Sequence, residues 1–227
     1  MVKSKKNLRI HAFVQARQTS SRLPNKIFLK LNNFSVLENI YLRLNNSKLL
    51  NGIFFLIPSN TKNLFLRKYL KERKYLTFSG SEKNVLDRFH KASIKFKSDI
   101  IVRITADCPL VDYRLMDIMV KKFLNLKDID YYSNTIERSF PDGLDIEIFS
   151  KKSLKAAIRN ARNNFDREHV TPYIKRNFNS ANFLNDKNFS KLRWTLDTTE
   201  DYNRLSKMFL NKKIKPSCSW KKILKKV

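Results

Sequence analysis

The chain is short of glycine, cysteine and acid, and it has no long apolar run. With only three glycines in 227 residues, neither a Walker loop (GxxxxGK[ST]) nor a dinucleotide fingerprint (GxGxxG) can be written from it. The two cysteines, Cys108 and Cys218, lie far apart without CxxC spacing, which excludes a disulfide framework and a cysteine-based zinc site. No stretch reaches the roughly 18 apolar residues of a membrane span. The apolar run after the basic start is broken by Gln15 and Arg17, too soon for a signal segment. A cytoplasmic protein is expected. Acid is the scarcest class in proportion: 20 Asp plus Glu face 47 Lys plus Arg, a net charge of +27. That excess raises nucleic acid, anionic membrane and phosphorylated small molecules as partners. The lysines are scattered rather than gathered in one tract, however, so an AT-rich coding bias explains them as well.

What is present is the composition of a folded domain, with 42% hydrophobic and 12% aromatic residues. Short β-rich runs alternate with amphipathic helical stretches, the pattern of an α/β sheet with helices on both faces. Strands are expected at 9–16, 52–58, 75–80 and 99–105, then in "DIDYYSN", "GLDIEIF" and "KLRWTLD". Helices are expected at 35–47, about 61–74, 82–97, about 113–126, from Ser150, in "DREHVTPYIKRN" with a break near Pro172, and in "TTEDYNRLSKMFL". Ser35 and Glu38 form a capping box on paper, and Thr198 can cap the last helix, with Glu200 and Asp201 in its first turn. One domain spans 1–227, its core at about 9–210 and a basic tail at 211–227 that is either solvated or an anion patch. Because helices separate the strands, most of the sheet is expected to be parallel, and ligands bind such sheets at the carboxyl ends of the strands.

Two places at those ends carry chemistry. The loop "QARQTSSRLPNK" (15–26) offers Arg17, Arg22 and Lys26 around Thr19, Ser20 and Ser21: guanidinium forks, an ammonium and hydroxyls facing one anion. A triphosphate fits that description, and so does a plain solvated basic turn ended by Pro24. Asp107 directly follows an apolar strand, and Pro109 stops further pairing, so its carboxylate is expected to enter the crevice. Asp197 follows "LRWTL" in the same way. Two carboxylates held close together need a cation between them. Mg²⁺ suits the pair, since it takes one or two protein carboxylates and completes its octahedron with water and phosphate oxygens. Each aspartate alone reads equally as a strand-end or capping residue.

Six segments in order, "QARQTSSRLPNK", "GSEKNVLDRF", "VRITADCPLVD", "YYSNTIERSFPDGLDIEIF", "REHVTPYI" and "LRWTLDTTEDYN", resemble the SpsF-like spore-coat polysaccharide cytidylyltransferases. That family is similar to the CMP-KDO synthetases, which activate an eight-carbon sugar acid. The resemblance runs from about Ile10 to Phe209. It implies a Rossmann-like, GT-A-type nucleotidyltransferase fold with a mostly parallel mixed sheet, CTP and a sugar or sugar-acid acceptor as substrates, Mg²⁺ as cofactor, and a homodimer. It also implies roles for particular residues. Arg17, Lys26, Asp107 and Asp197 would be catalytic, the two aspartates holding the metal. The nucleotide would be bound by these cations together with Gln15, Ala16, Thr19, Ser20, Ser21, Arg22, Ser81, Asp87, Arg88, Arg103 and Ala106. Asp142, Asp145, Glu147, Arg167, Glu168 and His169 fall where the acceptor is expected, while Pro109 and Asp112 of the DxPLxD pattern look mainly structural.

The sequence departs from the family at three glycines, replaced by Thr19, Asn25 and Ala106. Asparagine tolerates left-handed backbone, whereas a β-branched threonine resists positive φ. Gly80 and Gly143 remain inside motifs and are expected to be obligatory turns. Cys108 and Trp194 read as packing residues, and His11 and His90 as structural. Two readings stand beside the enzyme: a nucleic-acid-binding α/β protein, motivated by the charge, and a nucleotide-binding paralogue with little turnover.

Overall fold

The computed structural model describes residues 8–211 and 213–225. The basic start of the chain and the ends of the expected 1–227 domain lie outside those residues. A seven-stranded sheet runs in the order β5-β4-β1-β6-β8-β7-β9. Its first four strands are parallel: β5 (Leu76–Gly80), β4 (Gly52–Pro58), β1 (Ile10–Gln15) and β6 (Ile100–Thr105). Next, β8 (Glu147–Ser150) pairs antiparallel with both β6 and β7 (Tyr131–Ser133), and β9 (Ser180–Asn182) adds a parallel edge.

The central strands are near-continuous apolar runs because they are covered on both faces. Alternation divides them cleanly. Ala12 and Val14 of β1, Phe55 and Ile57 of β4 and Val102 and Ile104 of β6 face one core. That core is closed by α1 (Val36–Leu44), α2 (Leu64–Glu72), α4 (Tyr113–Asn125) and α8 (Thr199–Asn211). Phe13, Phe54, Leu56 and Ile101 face the other, against α3 (Val85–Lys95), α5 (Lys151–Asn160), α6 (Asn164–His169) and α7 (Pro172–Asn177). The capping box on α1 forms as expected, Ser35 and Glu38 satisfying each other's backbone N–H.

Three expectations change. "KLRWTLD" is extended but is not a sheet strand. Trp194 N donates to Asp142 O, Asp142 N to Leu192 O, and Leu196 N to Asp107 O, so its polar groups go to loops, leaving one bridge, Asp142 with Arg193. "GLDIEIF" becomes strand only from Glu147, because the buried Asn134 amide holds Leu144 O and Ile146 N first. The tail is not a solvated end over its described length: Ile214, Trp220 and Ile223 are buried in the first core, the latter two on α9 (Trp220–Leu224), while Lys213, Lys215, Lys221, Lys222 and Lys225 are exposed. The buried Arg43 donates to Val111 O, Lys215 O and Cys218 O, and Asp112 accepts from Trp220 N, fastening this segment beneath the loop that carries Asp107.

Two short elements escaped the sequence reading: β9, and a hairpin of β2 (Lys30–Leu31) and β3 (Phe34–Ser35).

Candidate active site

Gln15 and Thr105 end neighbouring parallel strands in direct register, so the loops that follow β1 and β6 leave the sheet side by side. Between them lies a cavity of about 200 Å³. Of the residues singled out in the sequence, Gln15, Arg17, Ser20, Ser21, Arg22, Lys26, Arg88, Ala106, Asp107, Glu168, His169 and Asp197 line it.

The first loop is built without glycine. Asn25 takes the left-handed conformation (φ 59°) that glycine would otherwise supply. Thr19 is not among the residues with positive φ, so its β-branch is unstrained. Its hydroxyl instead donates to Glu82 Oε1 at 3.0 Å. Glu82 also accepts from Asn60, Asn60 Oδ1 accepts from Asn63 Nδ2 at 2.7 Å, and Asn63 Oδ1 accepts from Gln18 N at 2.9 Å. This ring of side chains returns to the residue before Thr19 and fixes the loop's opening turn. Glu82 itself lines the cavity, as do Thr105, Pro58, Val85 and Ile27, none of which was singled out in advance. Of these, Glu82 had a sequence signal, lying inside the quoted "GSEKN" motif.

Lys26 stands where the sequence reading put a metal. Its ammonium donates to Asp197 Oδ1 at 2.7 Å and to Leu196 O at 2.8 Å, and lies 3.6 Å from Asp107 Oδ2. Asp197 also meets Arg22 at 3.1 Å and Arg193 at 3.6 Å. The two carboxylates come from chain positions ninety residues apart and converge on one cation. The backbone at Asp197 is fixed too: Asp201 accepts from Asp197 N and Thr198 N, and Arg193 and Arg204 hold Asp201 in turn. Burial works against the Asp201 charge, yet these hydrogen bonds outweigh it and hold the carboxyl well below the usual range.

Arg88 is buried in the opposite wall. It donates to Ser81 O at 2.9 Å, and its Nε has no hydrogen-bond partner among the described residues. Burial pushes its guanidinium down to about 10, with Glu82 opposing that and Arg17 adding to it. Gly80 packs closely here rather than making a turn. It has no positive φ, but a Cβ on it would come within 3.1 Å of Arg88 Cγ. Gly143 is the true conformational case, with φ +108° and room for no Cβ beside the Trp194 carbonyl.

The remaining predicted residues sit outside the cavity wall. Ala16 is buried behind it. Ser81 caps the Asn84 backbone, and Asp87 pairs with Lys91 at 2.9 Å. Asp145 is gripped by both Arg138 nitrogens, and Asp142 is shared between Arg138 and Arg193. Burial, then the Asp145 charge, raises the Asp142 carboxyl above its ordinary value. Arg103 and Glu147 bond to each other, so neither presents a free charge. Arg167 lines an adjoining cavity of about 470 Å³ that shares Arg17, Glu82 and Glu168 with the first.

Comparison with known proteins agrees with this geometry. The profile described as "Cytidylyltransferase" matches residues 11–217. The chain is 36% identical over 200 residues to the uncharacterized protein MJ1063 of Methanocaldococcus jannaschii, covering 86% of this chain and 81% of that one. It is 28% identical over 217 residues to the spore coat polysaccharide biosynthesis protein SpsF of Bacillus subtilis, covering 91% and 88%. A solved cytidylyltransferase of Leptospira borgpetersenii superposes with a TM-score of 0.91 at 31% identity, covering 96% of this chain and 93% of that one. With the fold, the cavity at the strand ends and the match over nearly its whole length in agreement, the chain belongs to the cytidylyltransferase family and is a nucleotidyltransferase.

Proposed function

We propose that the protein transfers CMP from CTP to a sugar or sugar acid destined for a surface glycan, with Mg²⁺ as cofactor and in the cytoplasm, where CTP is supplied. The observation that carries this is the convergence of Asp107 and Asp197 on one cation at the mouth of a loop rich in Arg and Lys. The likeness to SpsF supports the glycan destination.

The donor set suits a divalent ion: two carboxylates, each partly open to the cavity, already share a positive charge. Asp107 and Asp197 would hold Mg²⁺, which when bound would neutralise charge on the phosphates. The chain's own contribution is positioning and charge. In the reaction an acceptor oxygen attacks the α-phosphate in line, and pyrophosphate leaves as the Pα–O bond breaks. With the two carboxylates holding Mg²⁺, Arg22 and Lys26 would be released from them to join Arg17 in meeting the triphosphate and the charge that gathers on the leaving pyrophosphate. The hydroxyls of Ser20 and Ser21 donate to phosphate oxygens, and Arg88 adds its charge to the same wall. Glu168 and His169 on the far wall face the side from which an acceptor enters.

A pyrophosphate-release screen tests the reading. CTP, UTP, GTP and ATP are paired with a panel of sugar acids and sugar phosphates, with Mg²⁺ or EDTA. CTP-selective, Mg²⁺-dependent release is expected, and Asp107→Asn or Asp197→Asn should lower it by about 10²- to 10³-fold. Near-normal release by both variants would overturn the metal assignment. The homodimer is part of the same proposal, and sedimentation equilibrium checks it.

A further inference from the structure

We infer that Glu147 is a positioning residue that sets both walls of the cavity from beneath, one through Arg103 and Gln15, the other through Thr171 and a strained turn at Val170. Glu147 is the first residue of β8 and is buried. Its carboxylate accepts from Thr171 Oγ1 at 2.6 Å and from Tyr131 OH at 2.7 Å, and pairs with Arg103. Burial opposes its charge, but Arg103 and the two hydroxyls outweigh burial and keep the carboxyl below its ordinary range.

The first arm runs to Gln15. Arg103 Nε and Nη2 donate to Gln15 Oε1 at 3.2 and 3.0 Å. The fork fixes the amide, leaving its NH₂ as the group Gln15 can offer to the cavity it lines.

The second arm runs to the opposite wall. Val170 has φ 71° and ψ −55°, and Thr171 N donates to His169 O at 2.8 Å. That is a γ-turn of the rare positive-φ kind, centred on a buried β-branched residue, where strain is greatest. Such an outlier persists only where its surroundings over-determine it, and it points to function. The next residue after the strained one is Thr171, the residue bonded to Glu147. The two before it, Glu168 and His169, line the cavity, with the His169 ring 4.5 Å from that of Phe165. A plain helix end would not need a β-branched residue at positive φ.

The nucleotide part of this inference rests on the proposed CTP reading; the His169 part does not. The experiment separates them. The chain has three histidines, so the His169 ring is resolved by NMR against His11 and His90 as internal controls of folding. Thr171→Val, which removes the hydroxyl at constant shape, should move the His169 resonances toward those of an unrestrained imidazole while leaving His11 in place. Thr171→Ser should restore them. Glu147→Gln should do the same to His169 and in addition weaken CTP binding about tenfold, the worth of one lost hydrogen bond, whereas Thr171→Val should leave CTP affinity nearly unchanged. If Glu147→Gln does not fold, Arg103→Lys cuts the fork to Gln15 while keeping a cation beside Glu147, and should weaken CTP without moving His169. Unchanged His169 resonances in Thr171→Val would overturn the inference. So would equal CTP affinity in the parent, Glu147→Gln and Arg103→Lys. If the parent itself binds no CTP, the nucleotide reading falls and the His169 result alone decides this one.

Discussion

Asp201 is four residues beyond Asp197 of the cavity wall, yet the position of Asp197 depends on it. Its Oδ2 accepts from Asp197 N at 2.9 Å and Thr198 N at 3.1 Å, while both oxygens take guanidinium donors from Arg193 and Arg204. Asp201→Ala leaves those two backbone N–H groups without an acceptor. Each such loss costs about 1–3 kcal/mol, and because Asp197 and Thr198 are half-exposed the lower end applies, about 2–3 kcal/mol together. For a chain of this size that lowers Tm by about 4–12 °C. Asp201→Asn keeps one carbonyl oxygen for the backbone and loses the charge, so it should melt between the two. The pH dependence gives an independent sign. The folded carboxyl lies below its unfolded value. Its stabilisation is therefore complete above the ordinary aspartate range near pH 4 and is lost as pH falls below it. The Tm gap between parent and Asp201→Ala should accordingly shrink from pH 7 to pH 3, by about 1 kcal/mol. Turnover should fall as well, since the Asp197 carboxylate loses its anchored backbone. Melting by calorimetry and pyrophosphate release are the two assays. An Asp201→Ala protein that melts with the parent at pH 7 and turns over normally would refute the reasoning.

Two further substitutions probe how the surrounding fold supports the site. Trp220→Ala empties a buried aromatic from the segment read in the sequence as a tail. It should cost about 3–5 kcal/mol, or roughly 6–20 °C in Tm, and a solvated tail would show no change in the same melt. Gly143→Ala places a Cβ within 2.5 Å of the Trp194 carbonyl carbon at φ +108°. Because that backbone leads directly to Asp197, both stability and pyrophosphate release should drop, and an unchanged kcat would show the two segments to be uncoupled.

Much of the fold was legible because it is written in periods. The alternation that sends Phe13 to one core and Ala12 and Val14 to the other is a property of one strand, and the capping box on α1 of four residues. Strand-like composition misled at "KLRWTLD", where β-rich residues run extended but bond to the Asp142 and Asp107 loops. No local pattern records that choice, since the partners are about fifty and ninety residues away. The same distance hid the pairing of Arg193 with Asp142, and it hid Arg43, whose three carbonyl acceptors only tertiary packing assembles; Asp201 was legible only as a first-turn acid, although its partners lie within eight residues. Arg103 and Glu147, expected to face ligands, neutralise each other because antiparallel pairing of β6 with β8 sets them opposite in register.

The basic loop shows what the structure adds to composition. On paper its cations suit a phosphate clamp or a solvated turn equally, and the difference between those two is where the charges point. A solvated turn would leave its lysine in water, but the Lys26 side chain is only 12% exposed and spends its donors on Asp197, Leu196 O and the neighbourhood of Asp107. Lys26 and Arg22 thus offset the two aspartates, and Arg17 and Arg88 stand on a wall that also carries Glu82 and Glu168. The structure sets three of these cations, Arg17, Arg22 and Lys26, on the one loop. It also explains how a loop without glycine serves: Asn25 supplies the left-handed turn, and Thr19, where relatives are expected to carry glycine, exchanges flexibility for a hydrogen bond to Glu82 on the same wall.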